Sequence, residues 1–428
     1  MEINPVKGTH DIIGEEADVY FNLEMAARML ADIFGYKEMR TPIIEHSPLF
    51  VRSVGESSDI VTKEMYTFLD KGNREITLRP EMTAGVMRSI VSNKLYATND
   101  LPLKYFYFGP CFRYERPQAG RYRQFHQFGI EQVGVKNEYE DAEVVLLGKR
   151  FLEIIGLQNV KVLINTLGDQ QSRDDYRIAL KEYFAKHIDN MCEDCKRRLE
   201  INPLRILDCK VPEDQEIIKN APKMKDYLSV EAKVYFEKVI SILQNVGVTV
   251  EQDDTLVRGL DYYTGIVFEY HDINDEIGAL GGGGHYKNLL KEIGGPDLEG
   301  VGLSFGEERL YYVIKKILGD DIPSNGLDYY VMGMTEEAIN TNFDLKDKIR
   351  SLGLSADGNN EIKSFKALFK IATRKKAKFA IIIGDDELKD KKLTVKNLKS
   401  QEQTTISLED AERMLPSMIE EYNNNEGE

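Results

Sequence analysis

"FRYERPQAGRYRQFHQFGIEQVG", residues 112–134, decides the fold. It holds four arginines, two carboxylates, five aromatic rings and a histidine in 23 positions. Aromatic residues flank a glycine-containing turn, which predicts a strand-turn-strand hairpin. Yet Arg113, Arg116, Arg121 and Arg123, with Glu115 and Glu131 among them, are more charge than a sheet interior holds unpaired. The spacing places Phe125, Gln127, Gly129 and Glu131 on one face of the return arm, and Arg113 and Glu115 on one face of the outgoing arm. A guanidinium fork for a phosphate, a ring for a base and polar groups for a small substrate would then converge. A surface hairpin whose charges pair with each other is the alternative these residues leave open.

Working outward, "EEADVYFNLEMAARMLADIFGY" puts Val19, Leu23, Ala26, Ala27, Leu30, Ile33 and Phe34 on one helical stripe ended by Gly35. "KEMRTPIIE" predicts a strand whose Pro42 donates no ladder bond, so it belongs at an edge or a break. "MYTFLDKGNREITLRP" reads as a second hairpin, and "MTAGVMRSIVSNKLY" as a helix opening just after Pro80. Paired antiparallel strands with helices between them make the fold α+β, an antiparallel sheet flanked by helices. Residues 170–250 become charged, helical and strand-poor, as an insertion would. Strand texture returns over 251–320, and 326–428 alternates strand and helix as a separate α/β domain, leaving 1–169 as the first part of the core.

The bulk numbers exclude several classes. With 428 residues the chain is too long for one typical core. The longest apolar runs are short, and "MEINPVKG" has neither the basic head nor the apolar stretch of a signal peptide, so a cytoplasmic protein with no membrane span is expected. Four cysteines fit a reduced compartment. A net charge of −16 argues against a surface that coats nucleic acid throughout, but residues 361–400 carry twelve Lys or Arg against five acids. That patch fits either an RNA contact or solvated helix faces.

Other segments carry candidate chemistry. "LVRGLDYYTGIVFE", 256–269, sets Arg258 ahead of Tyr262 and Tyr263, a plausible pocket wall or a buried tyrosine pair. "GALGGGGHYKNL", 278–289, lacks the ending of a P-loop; its glycines permit close backbone approach to a ligand or a loose turn. "GEERL", 306–310, opens a helix whose amides, with Arg309, could face an anion. His187, Cys192, Cys195 and Cys209 have the spacing of a feasible tetrahedral zinc set, or are reduced cysteines of a helical insert; no metal ligands are assigned.

Together these segments resemble the three motifs of class II aminoacyl-tRNA synthetases, specifically the histidyl-tRNA synthetase family. "KGTHDI" (7–12) is similar to its N-terminal signature, "GYKEMRTP" (35–42) to motif 1, "FRYERPQAGRYRQF" (112–125) to motif 2 and "GVGLSFGEERL" (300–310) to motif 3. "TLRPEMTA" (77–84) and the segment around Arg258 resemble stretches particular to the histidine enzyme.

The resemblance implies ATP-dependent ligation of L-histidine to the 3′ end of histidine tRNA through a histidyl-adenylate, releasing pyrophosphate and AMP. Arg113 would grip the α-phosphate, Glu115 read the adenine, Phe125 stack on it and Arg309 hold the γ-phosphate end. Glu81, Thr83 and Gln127 would bind the α-amino group. Glu131 and Tyr263, with Tyr262 beside them, would take the imidazole nitrogens. Arg258 would stabilise the α-phosphate opposite Arg113. Magnesium would accompany ATP, with no organic cofactor. The resemblance also implies a homodimer through motif 1, an acceptor stem met by Arg116–Arg123 and an anticodon met by the basic C-terminal domain. His285, Lys287 and Glu307 depart from the family's usual residues and receive no catalytic role. A non-catalytic paralogue serving as a histidine-binding regulatory subunit is the rival, and an RNA-binding scaffold a more distant one.

Overall fold

The computed structural model describes residues 3–55, 58, 60–134, 136–260, 262–274, 277–319, 322 and 326–426. The chain divides into two compact units, Met1–Ile322 and Pro323–Glu428.

The first unit is built on an eight-stranded sheet. Its order is Lys37–Glu38, Leu103–Phe112, Gln124–Val133, Gly300–Gly306, Ala279–Tyr286, Tyr263–Asp272, Val160–Thr166, Val250–Gln252. The two edge pairs are parallel and every interior pair is antiparallel, as the α+β expectation requires. The opening hairpin pairs from Leu103 opposite Val133 to Phe112 opposite Gln124.

Side-chain alternation gives this sheet two different faces. Phe106, Phe128, Ile130, Phe268, Leu303 and Phe305 point one way, into a core shared with helices Glu15–Ile33, Glu138–Ile154, Val230–Asn245 and Glu307–Leu318. Tyr107, Tyr263 and Tyr286 point the other way, toward helix Thr83–Ser92. Glu131 and Gln127 share the parity of that second face. One face is mainly apolar, while the other combines a second apolar cluster with the polar groups that reach the cleft.

Three local expectations are corrected or resolved. "KEMRTPIIE" is not one strand: Lys37–Glu38 joins the edge of the large sheet, Ile44–His46 joins a three-stranded sheet, and Pro42 sits at the break. The outgoing hairpin arm stops at Phe112, so Arg113 and Glu115 belong to the connecting loop and not to a strand face. The glycine run is no loose turn. It is strand Ala279–Tyr286, and a Cβ at Gly282 would lie 2.5 Å from the Phe268 carbonyl oxygen, one at Gly284 2.8 Å from the Tyr263 ring.

Within 170–250, Tyr176, Leu180, Phe184, Leu199, Ile206 and Met224 form a small core of their own. Helix Val230–Asn245 instead buries Phe236, Val239 and Leu243 in the large unit's core beside helix Glu138–Ile154, through its apolar stripe.

The second unit has a five-stranded sheet ordered Ala356–Gly358, Tyr329–Gly333, Phe379–Ile383, Lys392–Asn397, Gln403–Ser407, with the first three strands parallel and the last two antiparallel. Apolar clusters cover both of its faces. Among the described residues no helix is long and apolar enough to cross a membrane.

Candidate active site

A cleft of about 880 Å³ opens on the polar face of the first unit's sheet. Arg113, Arg258 and Arg309, far apart in sequence, all line it. So do Glu81, Thr83, Glu115, Phe125, Gln127, Tyr262 and Tyr263.

The fold holds each arginine differently. Arg113 donates from Nε to the Pro80 carbonyl at 2.8 Å, and its guanidinium lies 5.1 Å from the centre of the Phe125 ring. Glu115, 3.9 Å from Arg113 and 3.4 Å from Arg121, is shared between them. Arg309 donates to the Ala279 carbonyl and packs against Gly120 of the hairpin loop, where an added Cβ would sit 3.2 Å from Arg309 Cγ. Burial, with Arg121 nearby, brings the Arg309 guanidinium down to about 10. Arg258 pairs with Glu269 through Nη1, while its buried Nε has no partner among the described residues. Burial alone would raise the Glu269 carboxyl, but Arg258 and His271 reverse this and hold it at about 2. The cleft thus has a wall of donors with unused capacity for an anion.

The other end of the cleft is a hydroxyl cage around Glu131. This carboxylate, 1% exposed, accepts from Thr83 Oγ1 at 2.6 Å, Tyr107 at 2.9 Å and Tyr286 at 2.7 Å. It lies behind the cleft wall, beneath Thr83 and Tyr107. Burial raises it to about 8 despite the three donors. Glu81 accepts the amides of Thr83 at 2.7 Å and Ala84 at 2.9 Å, which caps helix Thr83–Ser92. The Tyr262 and Tyr263 ring centres are 4.5 Å apart, and Tyr262 meets Tyr286 edge-on.

Sequence inspection missed Tyr107, Tyr286 and Glu269. Glu269 was within reach, since strand parity from Tyr263 puts 265, 267 and 269 on the same face. Tyr107 and Tyr286 required the strand register.

The unusual residues have plain places. His285 is buried between Asp141 Oδ1 at 2.9 Å and Glu299 Oε2 at 2.8 Å, on the side of the sheet away from the arginines. Lys287 reaches the same Glu299 at 3.6 Å. Glu307 is buried with Oε2 unpartnered among the described residues. His187 packs at a tilt against Tyr183, ring centres 4.9 Å apart, and does not join the cysteines; Asp214 stands with Cys192, Cys195 and Cys209 instead.

An antiparallel sheet whose hairpin loop, tyrosine segment and last strand-helix junction bring three guanidinium groups to one cleft defines an aminoacyl-tRNA synthetase of class II. The pattern of the histidyl-tRNA synthetase family matches residues 8–310, and that of an anticodon binding domain residues 328–418. A histidine–tRNA ligase of Bacillus subtilis (strain 168) is 46% identical over 413 residues, 96% of this chain and 97% of the relative. One of Thermosipho melanesiensis is 45% identical over 406 residues, 94% of this chain and 95% of the relative. A crystal structure of apo S. aureus histidyl-tRNA synthetase superposes with a TM-score of 0.79 at 36% identity, covering 97% of this chain and all of that one. The chain belongs to the histidyl-tRNA synthetase family.

Proposed function

We propose that this cleft carries out both half-reactions of ATP-dependent histidine–tRNA ligation, with the residues in the following roles. The carrying observation is the convergence of Arg113, Arg258 and Arg309 on one cleft, with the Arg258 Nε left without a protein partner among the described residues. Arg113 and Arg258 hold the α-phosphate from two sides, where charge gathers as the histidine carboxylate attacks phosphorus and pyrophosphate leaves. Arg309 takes the γ-phosphate end. Phe125 stacks on adenine, with Glu115 reading its amino group.

Glu81, Thr83 and Gln127 hold the substrate's α-amino group. Its imidazole N–H takes over a position on Glu131 now held by a hydroxyl of the cleft wall, and its other nitrogen accepts from Tyr263, with Tyr262 packed alongside. A side chain lacking both a donor and an acceptor leaves these buried groups unpaired, which is the basis of selection. The tRNA 3′-hydroxyl then attacks the adenylate carbonyl and AMP departs, so no protein nucleophile is needed.

Magnesium fits the donor set, because Glu269 offers a carboxylate oxygen to the cleft beside Arg258; bound with ATP it would neutralise phosphate charge. Activation belongs to segments 1–169 and 251–320, with 170–250 inserted between them. Segment 326–428 meets the anticodon, and Arg116–Arg123 the acceptor stem. Lys366, Lys370 and Arg374, all exposed, recur every four residues on helix Phe365–Arg374 beside exposed Ile362 and Phe365, a mixture of charge and apolar surface suited to unpaired bases. The enzyme works as a cytoplasmic homodimer; exposed Phe21, Met25, Met29 and Ile33 form one stripe of helix Glu15–Ile33 that a second copy would cover.

Histidine-dependent exchange between ATP and pyrophosphate tests the assignment. The protein is expected to exchange with histidine alone, and Arg258→Ala to lose at least about 100-fold in rate. Histidine binding without exchange would move the protein to the regulatory-subunit class. Exchange unchanged in the variant would remove Arg258 from the chemistry.

A further inference from the structure

The helical insert contains a compact set of ligating atoms that the ligation chemistry does not use. The Sγ atoms of Cys192, Cys195 and Cys209 and a carboxylate oxygen of Asp214 all lie within 4.8 Å of one another. Cys192 Sγ and Cys209 Sγ are 3.8 Å apart, and Cys209 Sγ is 3.1 Å from Asp214 Oδ2. Zinc–sulfur bonds of about 2.3 Å at tetrahedral angles place two ligand sulfurs roughly 3.8 Å apart. A disulfide would need about 2.05 Å.

The local chain converges on this point. Cys192 is the N-cap of helix Glu193–Ile201 and Cys195 lies in its first turn, so one helix start supplies two thiols. Cys209 follows the 3₁₀ turn Pro203–Asp208, and Asp214 sits in the first turn of helix Pro212–Ile218. Asp214 is only 1% exposed, and among the described residues no Lys, Arg or His pairs with it; its oxygens meet the Cys192 amide at 3.2 and 3.3 Å and the thiols. Three thiols and a carboxylate thus converge with no side-chain cation among the described residues to balance them, and a divalent cation at the centre would supply that charge.

We propose that Cys192, Cys195, Cys209 and Asp214 hold one structural Zn²⁺. The donors are three soft thiolates and one oxygen at tetrahedral spacing, which select zinc over magnesium or calcium. Binding releases the thiol protons to solvent and leaves no position open for a reacting water. The site serves the cleft mechanically. Cys192, Cys209 and Lys210 line the same cleft as Arg113 and Arg258, and Arg205 of the insert donates to the Gly259 carbonyl at 3.0 Å, one residue beyond Arg258.

The test uses the full-length chain without an affinity tag, purified in chelator-free buffer. Elemental analysis after gel filtration is expected to give about one zinc per chain. Exchange with Co²⁺ should produce thiolate-to-cobalt charge-transfer bands and tetrahedral d–d bands. His187→Ala should keep the zinc, whereas Cys209→Ser and Asp214→Ala should lose it at least tenfold more readily to a chelator. Less than a tenth of a zinc per wild-type chain, whether with free thiols or with a Cys192–Cys209 disulfide in the mass spectrum, would overturn the proposal without recourse to any variant. Zinc lost from His187→Ala but retained by Asp214→Ala would overturn the ligand set.

Discussion

At Glu307 the chain keeps a carboxyl group that its surroundings do not support. Burial, with Glu24 and Glu308 nearby, raises it well above the ordinary carboxylate range, and one oxygen lacks a partner among the described residues. The folded protein therefore holds it protonated, while the unfolded chain ionises it above its usual range. That difference subtracts stability as pH rises past the unfolded value. Glu307→Leu is expected to stabilise the protein by about 1–3 kcal/mol at pH 8 and to change little at pH 4, as chemical denaturation at the two pH values would measure. The opposite case is Glu131, whose three hydroxyl donors all point inward. Glu131→Ala strands Thr83, Tyr107 and Tyr286, so it should lower kcat/KM for histidine by at least about 100-fold and cost about 1–3 kcal/mol of stability, read by exchange kinetics and thermal unfolding. The arginines were legible one by one because buried guanidinium groups need anions. Asp214 was not, since nothing in "KVPEDQEII" separates it from its acidic neighbours until the helices close around the cysteines.

The strands tell more than the residues singly. Ala279–Tyr286 can lie between two neighbours only because its glycines leave room: a Cβ on Gly283 would run into the Gly302 carbonyl, and one on Gly302 into the Glu131 carboxylate. Gly283→Ala should consequently destabilise the first unit by several kcal/mol, since backbone and not a flexible tip must yield, and limited proteolysis or a lowered unfolding temperature would register it. The same strand carries His285 as its last residue but one. Burial would lower its pKa, but Asp141 and Glu299 raise it to about 9 against an unfolded value of 6.5. Its contribution is complete below pH 6.5 and vanishes as pH climbs through 9, on the order of 3 kcal/mol in all. Denaturation curves of wild type and His285→Gln should therefore converge as pH goes from 6 to 9.5. The composition of "GGGGHY" left close approach to a ligand and a loose turn equally open, because a glycine run carries no side-chain period. Pro42, by contrast, announced its break in advance, since a missing N–H is a local property.

Across the whole molecule, two units divide the chain at Ile322 and each has its own core. The change of texture from paired strands to alternating strand and helix was visible in the sequence because hydrophobic period is local. The order of the eight strands was not, for the sheet joins residues 38 and 252 of the chain at opposite edges through pairings no period encodes. Net charge follows the same division of scale: −16 overall, yet +7 over residues 361–400. Replacing Lys366, Lys370 and Arg374 with Glu should raise KM for tRNA at least tenfold, flatten the salt dependence of tRNA binding and leave histidine-dependent pyrophosphate exchange unchanged. A parallel fall in exchange would place these residues in a different task.

The two-sided alternation of Gln124–Val133 carries a further consequence. Its phenylalanine and isoleucine at 128 and 130 occupy one side and Gln127, Gly129 and Glu131 the other. Adding or deleting a single amino acid anywhere in this arm would turn the polar groups into the aromatic interior and the rings into water, damaging folding and chemistry together. Family members that differ in length should therefore place every insertion in the loop beyond Phe112 and never within the ten paired positions that follow it.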